Sequence, residues 1–219
     1  MNIILFGSSG MIGQAALREC LLDPNVESIL AIVRKPSGFT HPKYQEQIHT
    51  DFLDFKPLEA VWRGYDGCFY LVGVTSSGMS DADYRRVTYD YTLAAAEALA
   101  ALNPNMTFVY GSGAGADSSE KGSVMWARVR GATENAVLAL PFKGVVFRPG
   151  FIVPMHGVKS KTDSYRWLYT FTRPFWGILR RLFPNMVGTS EQVARAMIAV
   201  VQRGAPKRVL EVRDINGLG

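Results

Sequence analysis

The amino terminus of the 219-residue chain joins a short apolar run directly to a glycine-rich turn. Residues 2–6 are Asn-Ile-Ile-Leu-Phe, a run typical of a buried strand, and glycines follow at intervals of three: Gly7, Gly10 and Gly13. An apolar face over residues 11–17 and the stop signal Asp-Pro-Asn at 23–25 predict a helix after the turn. This order constrains the fold more than any other feature, because it begins a βαβ unit.

The same turn predicts a phosphate cradle. Glycine lets the backbone approach a pyrophosphate without a Cβ in the way, and the following helix points its free N–H groups and its positive dipole end at the anion. The alternative is a tight turn that binds nothing, since such turns are common in α/β proteins. In the first interpretation the cradle consists of Gly7, Ser9, Gly10, Met11, Ile12 and Gly13.

Strand-like and helix-like patterns alternate along most of the chain. Further strands are predicted at residues 26–33, 47–50, 68–72, 106–110 and 144–147, and further helices at residues 58–62, 83–102 and 124–140. Such alternation indicates parallel pairing through right-handed crossovers. The predicted fold class is α/β, a Rossmann-type doubly wound parallel sheet, whose ligand binds at the carboxyl ends of the strands.

Length and composition indicate one domain over residues 1–219, since 47% of the residues are hydrophobic and can form a large core. Near the C-terminus, Thr189 and Gln192 have the spacing of a helix capping box. Residues 208–212 predict an edge strand, and the glycine-rich tail after it is expected to fray.

Targeting signals and metal-ligand patterns are missing from the sequence. We find no basic leader, cleavage signal or membrane-spanning run, and we expect a cytoplasmic protein. Cys20 and Cys68 are expected to be small buried hydrophobic residues in a reducing compartment. The histidines are scattered, so we expect no metal site: His41, His49 and His156.

Two cations follow the second predicted strand. Arg34 lies about twenty residues after the last glycine, where an NAD-binding fold places an acid on the ribose 2′-hydroxyl. A guanidinium can instead bind a 2′-phosphate through two parallel hydrogen bonds. Arg34 and Lys35 therefore favour NADP over NAD, and the alternative is a solvated strand end.

The glycine triplet Gly-x-x-Gly-x-x-Gly resembles the short-chain dehydrogenase/reductase superfamily, and more narrowly its atypical, NmrA-like and sugar-epimerase-like branch. Within that branch the chain is most similar to the Tat-interacting-protein-like oxidoreductases, over residues 1–212. The resemblance implies that Asp51 and Phe52 bind the adenine, although Asp51 could instead cap a helix. It also implies that a strand-end segment passes the cofactor ribose and that the Arg148-Pro149-Gly150 turn runs against the nicotinamide. The residues implied are Val72, Gly73, Val74, Pro149, Gly150 and Ile152.

The catalytic residues are where the resemblance weakens. Relatives pair a Tyr with a Lys four residues later, assisted by a Ser at the end of strand five, and here Ser112 matches that Ser. Trp126 stands at the Tyr position and Arg130 at the Lys position, and the chain has no Tyr-x-x-x-Lys. An indole cannot act as the acid/base, whereas Arg130 can still bind ribose hydroxyls. The substitutes considered are Asp81, Asp83, Tyr84 and His156, each of which could instead be structural.

Residues 158–184 interleave basic and aromatic side chains and contribute to the net charge of +5. We interpret residues 151–187 as a variable helical lobe that covers the substrate or contacts a subunit. Peripheral membrane contact is the alternative, and nucleic acid is not expected.

Three functions fit the sequence. The first is an NADP-dependent oxidoreductase or epimerase-like enzyme with a rearranged acid/base and an unidentified small-molecule substrate. The second is a non-catalytic NADP(H) sensor, and the third is a membrane-peripheral assembly factor. The chain could be a monomer or a homodimer in any of them.

Overall fold

The computed structural model describes residues 1–158 and 186–219. Its main sheet consists of β1 (Asn2–Phe6), β2 (Ser28–Val33), β3 (Tyr44–Ile48), β4 (Gly67–Tyr70), β5 (Thr107–Gly111), β6 (Lys143–Arg148) and β9 (Val209–Glu211). A separate parallel pair is formed by β7 (Phe151–Val153) and β8 (Val187–Thr189). The seven strands lie in the order β3-β2-β1-β4-β5-β6-β9, and every neighbouring pair is parallel.

Helices cover both faces of this sheet: α1 (Met11–Leu22), α2 (Asp81–Arg85), α3 (Tyr91–Leu102), α4 (Met125–Ala139), α5 (Ser190–Arg203) and α6 (Val212–Leu218). Alternate side chains of β1 explain the two layers, because successive residues of a strand point to opposite faces. Ile3 and Leu5 pack in the core with α1 and α5. Ile4 and Phe6 pack in the core with α3 and the 3₁₀ helix Lys56–Val61. The predicted doubly wound Rossmann-type fold is confirmed.

The helix predicted over residues 83–102 is longer and less regular than expected. α2 begins at Asp81 because Ser80 caps it, and the Ser80 Oγ accepts a hydrogen bond from the Asp83 backbone N at 3.1 Å. A π-helical segment, Arg86–Asp90, then joins α2 to α3. Its wider turn changes which side chains of α2 and α3 share a face.

The C-terminal region differs from prediction at one point. The capping box is confirmed, since Thr189 Oγ1 accepts from the Gln192 N at 3.0 Å and Gln192 Oε1 accepts from the Thr189 N at 3.1 Å. The edge strand is confirmed as β9. The prediction of a frayed tail is wrong, because residues Val212–Leu218 form α6. The Glu211 N donates to Asp214 Oδ2 at 2.9 Å, and Ile215 is buried.

Most of the predicted lobe over 151–187, including nearly all of the basic–aromatic residues 158–184, lies outside the described residues. Among residues 1–158 and 186–219, no helix is both long enough and apolar enough to cross a membrane. Cys20 and Cys68 are buried, and burial raises the pKa of each thiol. Both therefore act as small core residues.

Candidate functional site

The glycine turn after β1 is fixed partly by packing. Gly7 has a positive φ of 77°, and a Cβ there would lie 2.5 Å from the Leu71 carbonyl oxygen. A Cβ on Gly13 would overlap the carbonyl of Gly7. These two glycines are therefore required to bring α1 close to the ends of β1 and β4, whether or not a ligand binds.

Gly10 has a different role. The nearest atom to a Cβ at Gly10 is the Gly7 carbonyl oxygen at 3.4 Å, so packing does not require glycine here. Gly10 is the N-cap of α1 but makes no side-chain cap, and the first turn of α1 has no acidic residue. Ser9 is exposed beside it, whereas Met11 and Ile12 are half-buried. The positive end of α1 thus keeps room for an anion.

The two cations predicted to select NADP are at the carboxyl end of β2. Arg34 and Lys35 are exposed and form no ion pair with any described residue. The neighbouring acid, Glu46, instead accepts hydrogen bonds from the Ser37 N at 3.1 Å and from Tyr44 Oη at 2.7 Å. Although desolvation opposes them, these bonds lower the pKa of Glu46. Local donors therefore satisfy Glu46, and no acid in the described part of the chain neutralises either cation.

Asp51 and Phe52 follow β3. Asp51 Oδ1 accepts from the Leu53 N at 3.0 Å, so the carboxylate closes a turn. It does not cap the following 3₁₀ helix, whose N-cap is Phe55. Phe52 is buried and packs edge-on against Phe6 with ring centroids 6.3 Å apart. Their role toward an adenine stays a prediction.

Arg130 lies between the ends of two central strands. Its Nη2 is 3.9 Å from the position of a Cβ on Gly73, after β4, and its Nη1 is 3.6 Å from that position on Gly113, after β5. Its Nε donates to the Tyr84 hydroxyl at 3.0 Å. Among the described residues this is the only hydrogen-bond partner of its side chain. Desolvation opposes the charge, yet Tyr110, Tyr84 and Glu134 together raise the pKa of Arg130.

Val72 and Val74 flank Gly73 in the same strand-end loop, where Val72 is half-buried and Val74 is exposed. The loop therefore presents one apolar side chain and a close backbone approach beside the Arg130 guanidinium. Their predicted contact with a ribose is consistent with this position and stays a prediction.

Ser112 belongs to a buried polar network. Its hydroxyl donates to Glu134, which is fully buried and forms an ion pair with Arg148. Arg148 Nε lies 3.1 Å from Glu134 Oε1, and Arg148 Nη1 lies 3.2 Å from Glu211 Oε1. The hydrogen bonds to Glu134 raise the pKa of Arg148. The Ser112 proton is thus held by Glu134, and the Ser112 oxygen can only accept a further hydrogen bond.

The Arg-Pro-Gly turn after β6 is held by backbone contacts. The Pro149 carbonyl accepts from the Ala114 N at 3.0 Å, which ties the turn to the loop after β5. A Cβ on Gly150 would lie 2.5 Å from the Met186 carbonyl oxygen. Ile152 is a core residue of β7. The turn therefore lies beside Ser112. Arg148 also has a structural role in its ion pair with Glu134, and Gly150 has one in its close approach to Met186.

The other substitutes for the acid/base have structural partners. Asp83 accepts from the Ser80 hydroxyl at 2.7 Å, and Asp81 pairs with Arg128 at 3.6 Å. His156 lies 3.0 Å from Glu191. Glu191 and Glu19 could form a metal cluster with His156, but Arg195 pairs with both carboxylates.

Trp126 packs its indole over Gly115, since Cη2 lies 3.2 Å from the position of a Cβ there. The indole therefore covers the loop after β5, close to the strand end that carries Ser112. It fills space at this edge and supplies no titratable proton.

Sequence reasoning missed two connections. The first is the link from Ser112 through Glu134 to Arg148. Glu134 lies among apolar residues of α4, four residues after Arg130, and that position was a signal for a buried acid. The bond between Tyr84 and Arg130 joins residues 46 apart, which no local pattern predicts.

Comparison with known proteins supports the fold. No protein-family model matches the chain. Leucinostatins biosynthesis cluster protein T of Purpureocillium lilacinum is 31% identical over 113 residues, which cover 50% of this chain. The match covers 42% of that protein, so the chain aligns with less than half of this relative.

Solved structures match over nearly the whole chain. The enzyme WbmF of Bordetella bronchiseptica, in complex with NAD+, aligns with a TM-score of 0.65 at 17% identity over 99% of this chain and 76% of WbmF. The UDP-glucose 4-epimerase of Thermotoga maritima, with UDP-glucose, aligns with a TM-score of 0.64 at 14% identity over 91% of this chain and 73% of the epimerase. The chain therefore has the fold of atypical short-chain dehydrogenases and epimerases, as the glycine spacing implied.

Proposed function

We propose that the protein binds NADP(H) along the carboxyl edge of its sheet, as an atypical short-chain dehydrogenase/reductase-like oxidoreductase or epimerase-like enzyme. The observation that carries this is the order of groups along the edge. Arg34 follows β2, the glycine turn follows β1, and Arg130 lies at the ends of β4 and β5. An extended dinucleotide needs this order: a cation for a 2′-phosphate, a helix end for the pyrophosphate, and donors for the second ribose.

The residues present fit such a cofactor. No side-chain cap occupies the start of α1, so the backbone N–H groups of its first turn can bind a pyrophosphate. Among the described residues no carboxylate pairs with the exposed Arg34, which can therefore pair with a phosphate. These features favour NADP, whereas the structural neighbour WbmF was solved with NAD+.

Replacing Arg34 with Asp tests the cofactor preference. The lost charge-assisted bonds, each worth about 1.5–3 kcal/mol, predict at least about a tenfold loss of NADPH affinity. NADH affinity should change little, because NADH has no 2′-phosphate. Titration calorimetry of both cofactors measures this, and unchanged NADPH binding would remove the assignment of Arg34.

The chemistry proposed for the site divides between cofactor and protein. A bound nicotinamide would supply the hydride. Arg130 would bind ribose or substrate oxygens through its two Nη groups, and Ser112 would accept a hydrogen bond from a substrate hydroxyl. NADPH oxidation across a panel of carbonyls and quinones, with Ser112→Ala as the control, tests this. Turnover that disappears in Ser112→Ala supports an enzyme.

A non-catalytic NADP(H) sensor is the second candidate. Two observations favour it. The Ser112 hydroxyl already donates its hydrogen bond to Glu134, and Trp126 offers no titratable group at the position of the usual Tyr. Tight NADPH binding without turnover of any panel substrate would support the sensor and contradict the enzyme.

The third candidate, a membrane-peripheral assembly factor, depends on residues 158–184, most of which lie outside the described residues. Neutralising their basic side chains tests it: loss of liposome binding with unchanged NADPH binding would favour this role. For all three candidates we propose a cytoplasmic setting, which the two buried, unpaired cysteines support.

A further inference from the structure

We propose that Tyr84 is a positioning residue, which holds the guanidinium of Arg130 so that its two Nη groups face the nicotinamide half of the cofactor. The inference rests on the proposed function, because it names a residue for the same site. The evidence for it is the geometry around Arg130.

Tyr84 reaches Arg130 from a different part of the chain. It belongs to α2, which starts at the Ser80 cap and packs beside α4 through the ion pair of Asp81 with Arg128 at 3.6 Å. The π-helical segment begins two residues after Tyr84. Segments of this kind are frequent at functional sites. The Tyr84 ring is buried, with 1% of its surface exposed, so its hydroxyl has a fixed position.

The atom that Tyr84 binds determines where the rest of Arg130 points. Its hydroxyl accepts from Nε at 3.0 Å, and because the guanidinium is planar and rigid, this bond restricts where its two Nη groups can lie. Both Nη groups lie beside the loops after β4 and β5, since Nη2 is 3.9 Å from the position of a Cβ on Gly73 and Nη1 is 3.6 Å from that position on Gly113. In this fold class, those strand ends border the ligand.

The partner is also suitable because it is neutral. A carboxylate at the place of Tyr84 would position Arg130 equally well but would cancel its charge. Glu134, one helical turn further along α4, does not serve this purpose, since it binds Ser112 and Arg148. Among the described residues, four of the five N–H donors of this half-buried side chain have no protein partner. The phenol thus fixes the cation and leaves its charge and donors for ligand oxygens.

A matched pair of tyrosine variants tests the inference. Tyr84→Phe removes the acceptor of Arg130. Tyr70→Phe removes an equally buried hydroxyl that has no hydrogen-bond partner in the described part of the chain. Binding is measured by calorimetry with two probes: NADPH, and 2′,5′-ADP, which lacks the nicotinamide half.

We expect Tyr84→Phe to weaken NADPH binding about tenfold, the order expected for a lost hydrogen bond to a charged group. Binding of 2′,5′-ADP should not change, and Tyr70→Phe should change neither. The double variant Tyr84→Phe with Arg130→Met should bind NADPH no more weakly than Arg130→Met alone, because Tyr84 acts through Arg130.

Two results would overturn the role of Tyr84. One is unchanged NADPH binding in Tyr84→Phe, and the other is an equal loss for NADPH and 2′,5′-ADP, which would indicate a general structural effect. Failure of the proposed function looks different, since the wild-type protein would then bind neither probe.

Discussion

Glu134 offers a direct test of how the candidate site is built. This carboxylate is fully buried and links three elements, because it accepts from Ser112 after β5 and from Arg148 at the end of β6 while it lies on α4. Removing one member of a buried ion pair costs about 3–5 kcal/mol, since the other charge stays behind. Arg148 keeps Glu211 at 3.2 Å, so we expect the lower end for Glu134→Ala, about 3 kcal/mol.

In a chain of 219 residues, a loss of this size in the free energy of unfolding produces a measurable change in Tm. At about 2–4 °C per kcal/mol, Glu134→Ala should lower Tm by about 6–12 °C in differential scanning calorimetry. The control is Glu211→Gln, which removes the exposed half of the Arg148 network but keeps an oxygen to cap α6. It should cost less than about 1 kcal/mol. If Glu134→Ala were no more destabilising than this control, the network would not anchor the site as described.

Two further predictions concern the glycine turn and the C-terminal helix. Gly10→Ala should leave the Tm of the ligand-free protein unchanged but lose most of the stabilisation by NADPH. Gly13→Ala should lower the Tm of the ligand-free protein, because its Cβ would overlap the Gly7 carbonyl. Thermal scans with and without NADPH measure both effects. Although desolvation of the carboxylate acts in the opposite direction, the hydrogen bond from Lys207 lowers the pKa of Asp214. The ionised Asp214 therefore stabilises the fold fully above its ordinary pKa of 3.8, and this stabilisation is lost as the pH falls through the lowered pKa. Asp214→Asn should therefore destabilise the protein at pH 7 more than at about pH 3 in urea titrations, and an equal effect at both pH values would contradict this account.

The sequence predicted the fold because its signals are local. Side chains of β1 alternate between two cores in the structure, and the glycines that follow it, Gly7 and Gly13, produce the turn that the pattern indicated. The capping box at Thr189 is equally local, since both of its hydrogen bonds join residues three apart. Periodicity, turn residues and capping residues all act over a few positions, and such elements can be inferred from one sequence.

The features that the sequence did not reveal depend on contacts between distant residues. α6 forms in a glycine-containing tail because Glu211, at the end of β9, and Asp214, in the first turn of α6, form a capping box and because Ile215 is buried in the core. Tyr84 meets Arg130 only after α2 and α4 pack together. The position of Arg130 was predicted, whereas its neutral partner Tyr84 was not.

Thermal stabilisation by NADPH, compared with NADH at equal concentration, tests the central claim most directly. A ligand that binds only the folded protein stabilises it by an amount set by concentration over Kd, about 2.7 kcal/mol at a hundredfold excess over Kd. We predict a clear rise in Tm with NADPH and a smaller rise with NADH. No rise with either dinucleotide would contradict the claim that the carboxyl edge of this sheet binds a dinucleotide.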